Sequence, residues 1–416
     1  MGFLGKHSLG THLLVAAGLL VGVCAFAVVR NWDTFRLMYA NMTAMNEGRQ
    51  AAEQMRRPED LLDYLAAHPE QASLVAYEVG ARAKGIFFQP AVRRPIVKTD
   101  HLLLLTEYAR QIRTGRLAPQ HPVPLDSLSV FALPGAGRDN HKGAVAHWNA
   151  ENDIRSDSTV ALREVVRAIG EHGDTAAADW LMMKLGRAQL QALPQRWGLS
   201  NSSAPVPTSG VHISWSTPPP KGTTASQPVR YYRSMSRESY TDRVYRLTRA
   251  LRRETSFRRQ ERRQLRRRGS GLSVRTQRAL AEITYPKGTS ADYAGLLARS
   301  LDGTLGSRRV ETFLHRQIET SLPSESAETS IRALGTHGGA VPGIISLVGY
   351  TRFEGEKAPR VCAFFLEGLP IGLFYHLVQT SLDKGFLLRV LSDPNFYQRV
   401  RTRLGEQKGP PLAPSE

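Results

Sequence analysis

Apolar and polar positions follow three different rhythms along the chain. Between residues 8 and 29 there is no Lys, Arg, Asp or Glu, and 13–29 is apolar throughout. At about 1.5 Å per residue such a run covers the ~30 Å of a bilayer's hydrocarbon core. It predicts a single transmembrane helix. The run is long for a signal-peptide core and lacks a clean Ala-x-Ala end, so an uncleaved signal anchor is expected. Phe35, Met38, Met42 and Met45 then recur at helical spacing, which predicts a helical stalk over 30–57. The third rhythm is continuous. Leu102, Leu103, Leu104 and Leu105 run on into Tyr108, Ala109 and Ile112, apolar on nearly every side. That predicts a helix buried all round, with a polar first turn made by Lys98, Thr99, Asp100 and His101.

Other elements assemble around that helix. Pro58, Glu59 and Asp60 suit a helix start and predict a helix over 60–67. Residues 73–79 and 85–88 read as a strand hairpin, and Gly115 stops the buried helix. A loop-rich stretch is expected over 118–157, then a helix over 160–170 capped by Asp157 or Ser158, and another over 174–185. Ser, Pro, Thr and Gly dominate 200–229, which predicts a long loop. Two short helices over 276–305 flank Pro286-Lys287-Gly288. Strands over 344–353 and 360–369 are joined by Glu354-Gly355-Glu356-Lys357, a hairpin signal. Helices over 371–382 and 396–404 follow, and 406–416 reads as a disordered tail. Strands at both ends and helices between them predict one α+β domain over 58–405, an antiparallel sheet from both chain ends packed on a helical subdomain.

Charge changes this picture in one place. The 416 residues carry a formal net charge of +18, and much of the excess lies in 230–268, where fifteen arginines face only Glu238, Asp242, Glu254 and Glu261. Val244, Leu247, Leu251, Phe257 and Leu265 give that segment partly helical spacing. Such a stretch suits anionic wall polymer or lipid, or is a solvated face; no nucleic-acid motif accompanies it, so nucleic-acid binding is not expected. The two cysteines, Cys24 and Cys362, provide neither a disulfide framework nor a metal-ligand spacing.

Five segments stand in a telling order and spacing: Leu65-Ala66-Ala67-His68-Pro69, Leu102 to Ala109 with Gly115-Arg116-Leu117, Pro122-Val123-Pro124-Leu125, Ala176-Ala177-Ala178-Asp179-Trp180-Leu181 with Leu185-Gly186, and Gly338-Gly339-Ala340-Val341-Pro342-Gly343. Together they resemble the class A β-lactamase-like serine hydrolases of the penicillin-recognising group. The resemblance implies a β-lactamase/transpeptidase-like fold and three motifs converging on a cleft. It places Lys98 where the family's nucleophilic serine stands and His101 where its lysine stands. Gly173-Asp174-Thr175 stands for Ser-Asp-Asn, and His337-Gly338-Gly339 for the cationic Lys-Thr/Ser-Gly. No Glu-x-x-Leu-Asn segment of the kind that holds a deacylating water is found.

The implied protein is a membrane-anchored homologue facing the periplasm or cell exterior. Its chemistry is lost, and it acts as a binding or scaffold protein toward peptidoglycan or an envelope protein. The expected set at the family's positions is Lys98, His101, Asp174, Thr175, His337, Gly338 and Gly339, with no catalytic residue, no metal and no cofactor. One alternative is an active hydrolase using Thr99. Another is a repurposed His/Asp site in which Lys98, Asp100, His101, Asp174 and His337 are neighbours and could ligate zinc. Ser381-x-x-Lys384 satisfies the Ser-x-x-Lys pattern literally, but it falls in the C-terminal helix and reads as chance.

Overall fold

A computed structural model describes residues 32–217, 228–320, 331–355 and 357–405. The expected anchor over 8–29 and the tail over 406–416 lie outside the described residues. Among the described residues no helix is long and apolar enough to cross a membrane.

Among the described residues ten strands form three sheets. The strands in chain order are β1 (Ala72–Glu78), β2 (Ile86–Phe88), β3 (Arg94–Pro95), β4 (Pro122–Pro124), β5 (Thr159–Ala161), β6 (Lys287–Gly288), β7 (Glu319–Thr320), β8 (Ile331–Val341), β9 (Ile344–Phe353) and β10 (Arg360–Leu366). The main sheet runs β2-β1-β10-β9-β8-β7 and every pairing in it is antiparallel. N-terminal β1 thus pairs with C-terminal β10, Ala72 opposite Leu366, which joins the two chain ends as the strand pattern predicts.

Both faces of the sheet are covered along β1 and β10, whose positions are nearly all apolar and buried rather than alternating. Val75 and Tyr77 of β1 and Val361, Ala363 and Phe365 of β10 pack into the large helical body. The intervening Leu74, Ala76, Cys362, Phe364 and Leu366 pack on the C-terminal helices and the helix Pro58–Ala67. At the centre of the helical body lies the helix His101–Arg113, buried from His101 to Ala109. Its only charged residue in that stretch, Glu107, is held by Arg110 and Arg196.

Several expectations are corrected. The segment over 118–157 contains a helix, Arg138–Ala150, buried at His141, Ala144 and Trp148. Asp157 does not cap a helix: it accepts from Thr159, residues 159–161 form β5, and the next helix is Leu162–Glu171. Within 200–229, Thr208–Ser216 is a buried helix whose first turn donates Thr208 N–H and Ser209 N–H to Asp179. The Arg-rich stretch forms two helices, Arg237–Arg253 and Thr255–Arg268. Ser381 adopts the left-handed conformation and ends the helix expected over 371–382 at Thr380, and a further, unexpected helix, Leu382–Ser392, follows it.

The stalk is docked from residue 41 onward. The Asn41 side chain accepts from Val274 N–H, Glu47 pairs with Arg275 and Arg278, and Met55 O accepts from His376. Met38, Met42 and Met45 remain exposed.

Candidate functional site

The site forms where the segment before the buried helix meets β8 and β9. Ser346, at 0% exposure on β9, fastens that segment. Its hydroxyl accepts from Val97 N–H at 2.7 Å, donates to Val97 O at 3.1 Å and meets Thr99 Oγ1 at 2.9 Å. Thr99 is therefore turned into the interior against β9 and does not line the cleft. Between these two anchored residues Lys98 takes a left-handed backbone, φ 62°. L side chains other than Asn and Asp seldom adopt it. The result is that Lys98 projects into the cleft while its two neighbours are pinned behind it.

Lys98 lies beside two glycines of the expected motifs. Its Nζ is 3.0 Å, and its Cδ 3.1 Å, from where side chains at Gly173 and Gly339 would begin. Gly339 thus leaves room for the lysine stem. Gly338 meets a different demand. Its φ is 146°, and a Cβ there would lie 2.1 Å from Ser346 O, so only glycine lets β8 pair with β9 at this point. Burial lowers the Lys98 pKa, the Asp174 carboxylate opposes that shift, and Lys384 adds to it.

His101 and His337 face each other, ring centroids 5.8 Å apart. His337 Nε2–H donates to Lys98 O at 3.1 Å, so its imidazole serves the backbone of the Lys98 loop. Burial and the nearby Lys98 charge push its pKa down to about 4. At neutral pH His337 is therefore uncharged and does not supply the cation of the Lys-Thr/Ser-Gly motif for which it stands. His101 is also held neutral, by burial first and then by His337 and Lys98, and its Nδ1 has no partner.

The remaining expected residues are drawn elsewhere. Asp174 caps the helix Thr175–Leu185, accepting from Ala176 N–H and Ala177 N–H, and its other oxygen meets His141 Nδ1 at 2.8 Å. Thr175 Oγ1 donates to Ala136 O at 3.4 Å and does not reach the cleft. Asp100 turns the opposite way from Lys98. It is buried in the helical body, where Asp179 and Arg237 are the charges that act on it, and burial pushes its pKa up to about 7. The five-residue cluster imagined for a His/Asp zinc site therefore does not exist. Lys98, His101 and His337 come together, Asp174 stands behind them and Asp100 points away. The Lys98 charge, which acts on both imidazoles, also opposes a cation there.

A cleft of about 890 Å³ opens over this group. Lys98, Gly170 to Gly173 and Gln317 to Glu319 line one part of it, and Thr336 to Ala340 of β8 and Lys384, Leu387 and Leu388 line another. Lys384 belongs to the chance Ser-x-x-Lys pattern, but Ser381 does not line the cleft. Among the described residues Lys98 and Lys384 form no ion pair, whereas Glu319 is paired with Arg352 and Glu171 with Arg167. The sequence reading missed His141, Ser346 and Lys384 as members of this region. A buried Ser on an otherwise apolar strand is the one signal that could have found Ser346.

No family model matches the sequence, and no curated protein matches it. Among solved structures the chain is similar to a β-lactamase from Sphaerobacter thermophilus, with 13% identity and a TM-score of 0.45 over 78% of this chain and 96% of that one. It is also similar to an ancestral class A β-lactamase, with 13% identity and a TM-score of 0.46 over 80% of this chain and 100% of that one. A third is PBP-A, with 13% identity and a TM-score of 0.44 over 79% and 97% of the two chains. These are distant likenesses of overall arrangement to β-lactamase-type and PBP-type structures. What this chain does has to be argued from its own residues.

Proposed function

We propose that this protein is a membrane-anchored binding protein of the cell envelope, without hydrolase activity, whose cleft receives an anionic group. One observation carries the reading. Among the described residues the cleft is lined by two ammonium groups free of ion pairs, Lys98 and Lys384, and by no Ser or Cys. The lining hydroxyl is Thr336, and His337 next to it cannot serve as its base. Successive strand residues point to opposite faces, and the imidazole is bonded to Lys98 O. Acylation of Lys98 would give an amide, which does not turn over as an ester does. The apolar run over 8–29 supports the anchor.

The test has two arms. Incubation with a fluorescent penicillin, followed by intact-mass measurement, should give no covalent adduct, and nitrocefin should not be turned over. A stoichiometric adduct on any cleft hydroxyl would overturn the reading. In pull-downs on purified peptidoglycan, the double variant Lys98→Ala/Lys384→Ala should lose most of the retained protein. Unchanged retention would remove the cleft from binding.

A further inference from the structure

At the rim of the same cleft, two histidines and a glutamate converge from two helices. His147 lies in the last turn of the helix Arg138–Ala150. Glu171 ends the helix Leu162–Glu171 and His172 is its C-cap. One ligand atom from each of the three lies within 4.8 Å of the other two. The imidazole rings stand 5.3 Å apart at 57°, so they are not stacked.

Both Nε2 atoms, of His147 and of His172, are out of reach of solvent and have no hydrogen-bond partner. Buried polar atoms are nearly always satisfied, and an orphan in a native site calls for a missing water or ion. Here two such orphans belong to one cluster, and its third member is a carboxylate.

We propose that His147, Glu171 and His172 bind a first-row divalent metal ion of the Zn²⁺ type at the rim of the cleft. Two imidazoles and one carboxylate are a donor set for Zn²⁺, Co²⁺ or Ni²⁺, while Ca²⁺ and Mg²⁺ take oxygen ligands. Bonds of about 2.0–2.1 Å in a tetrahedron put ligand atoms roughly 3.4 Å apart, so from separations within 4.8 Å the cluster has at most about 1.4 Å to close on binding. Glu171 is the member able to move. It is exposed, and its present partner is Arg167 at 2.8 Å on the surface, a class of pair worth little. Arg167 keeps a second carboxylate, Glu164, at 3.6 Å when Glu171 turns away.

Glu171 and His172 also line the cleft, so the remaining coordination position opens toward whatever the cleft holds. Three protein ligands with a free fourth position suit a water or an anionic ligand group there. Lys98 carries the positive charge at one place in the cleft and the metal carries it at another. The inference stands independently of whether the protein hydrolyses anything.

The experiment is a Co²⁺ titration of the full chain after chelator treatment, read by visible d–d absorption and reversed by Zn²⁺, with calorimetric Zn²⁺ binding beside it. One equivalent is expected, with the intense bands of a four-coordinate site. His147→Ala and His172→Ala should each weaken binding by well over the ~10-fold that loss of even an outer partner causes. Glu171→Gln should weaken it too, and His68→Ala, at a partly exposed histidine elsewhere, should leave it unchanged. If His147→Ala does not fold, Glu171→Gln at the exposed position supplies the same test. No Co²⁺ spectrum, or an affinity indifferent to both Glu171→Gln and His172→Ala, would overturn the proposal.

Discussion

Lys98 shows how much a single backbone conformation decides. Its left-handed φ costs on the order of 1–3 kcal/mol, held in place by the Ser346 hydrogen bonds on either side. Two residues further on, Asp100 faces the opposite way, among Asp179, Arg237, Tyr285 and Tyr293. The side chains of Lys98, Asp100 and His101 were legible as a polar tip before an apolar helix, but their directions were not, since Lys98 and Asp100 precede the helix that starts at His101 and Lys98 takes a left-handed backbone. Asp100 carries a pH prediction. Its carboxyl titrates near 4 in the unfolded chain and is pushed up to about 7 in the fold. Between those values the unfolded chain has released a proton that the folded chain keeps. This contribution to stability is complete below about pH 4 and is lost as pH rises through about 7. Asp100→Asn should flatten urea-unfolding stability between pH 5 and 8, with its gain over the parent largest at pH 8. An unchanged slope would mean that the carboxyl ionises freely in the fold.

At the scale of elements, the Gly338 position and the helix Arg138–Ala150 behave in opposite ways. Gly338→Ala would put a methyl 2.1 Å from Ser346 O, and displacing backbone there should cost about 1–3 kcal/mol. Gly143 lies in the helix Arg138–Ala150 with open space around its Cβ direction. Gly143→Ala should therefore stabilise the protein, by about 0.5–1 kcal/mol. Urea midpoints of the two variants test both signs together. The Gly-Gly pair was legible as a motif, and its packing reason appears only with β9 beside it. The helix itself was not legible. Its buried positions are His141, Ala144 and Trp148, at helical spacing, yet only one is strongly apolar. The same weakness hid Thr208–Ser216 among Ser, Thr and Pro neighbours, whereas the buried helix starting at His101 was plain because leucines declare burial on every side.

For the whole molecule, the charge run divides into two populations. Arg237, Arg243, Arg258 and Arg262 donate to backbone carbonyls at Thr284, Thr217, Leu251 and Ser129, so they hold the helices in place. Arg249, Arg253, Arg259 and Arg263 are exposed and form no ion pair among the described residues. The variant Arg249→Gln/Arg253→Gln/Arg259→Gln/Arg263→Gln should keep stability within about 0.5 kcal/mol, as surface changes do. It should lose sedimentation with vesicles containing anionic lipid, and the parent's sedimentation should itself fall between low and high salt. Parent binding that does not respond to salt would show that this face is only solvated.

By itself the sequence determined the layered plan: a central apolar helix, strands at both chain ends and a basic segment set apart. Burial and strand pairing are written locally, in runs and alternation, so no neighbour is needed to read them. Only the tertiary structure decided what the polar residues do. Hydrogen bonding and metal ligation are short-ranged and directional, and their partners here are distant in sequence, Ser346 for Val97 and Thr99, and His147 for Glu171 and His172. For the same reason Asp174 was recognisable as a residue, while its use as a helix cap and partner of His141 could be seen only once the chain had brought that histidine to it.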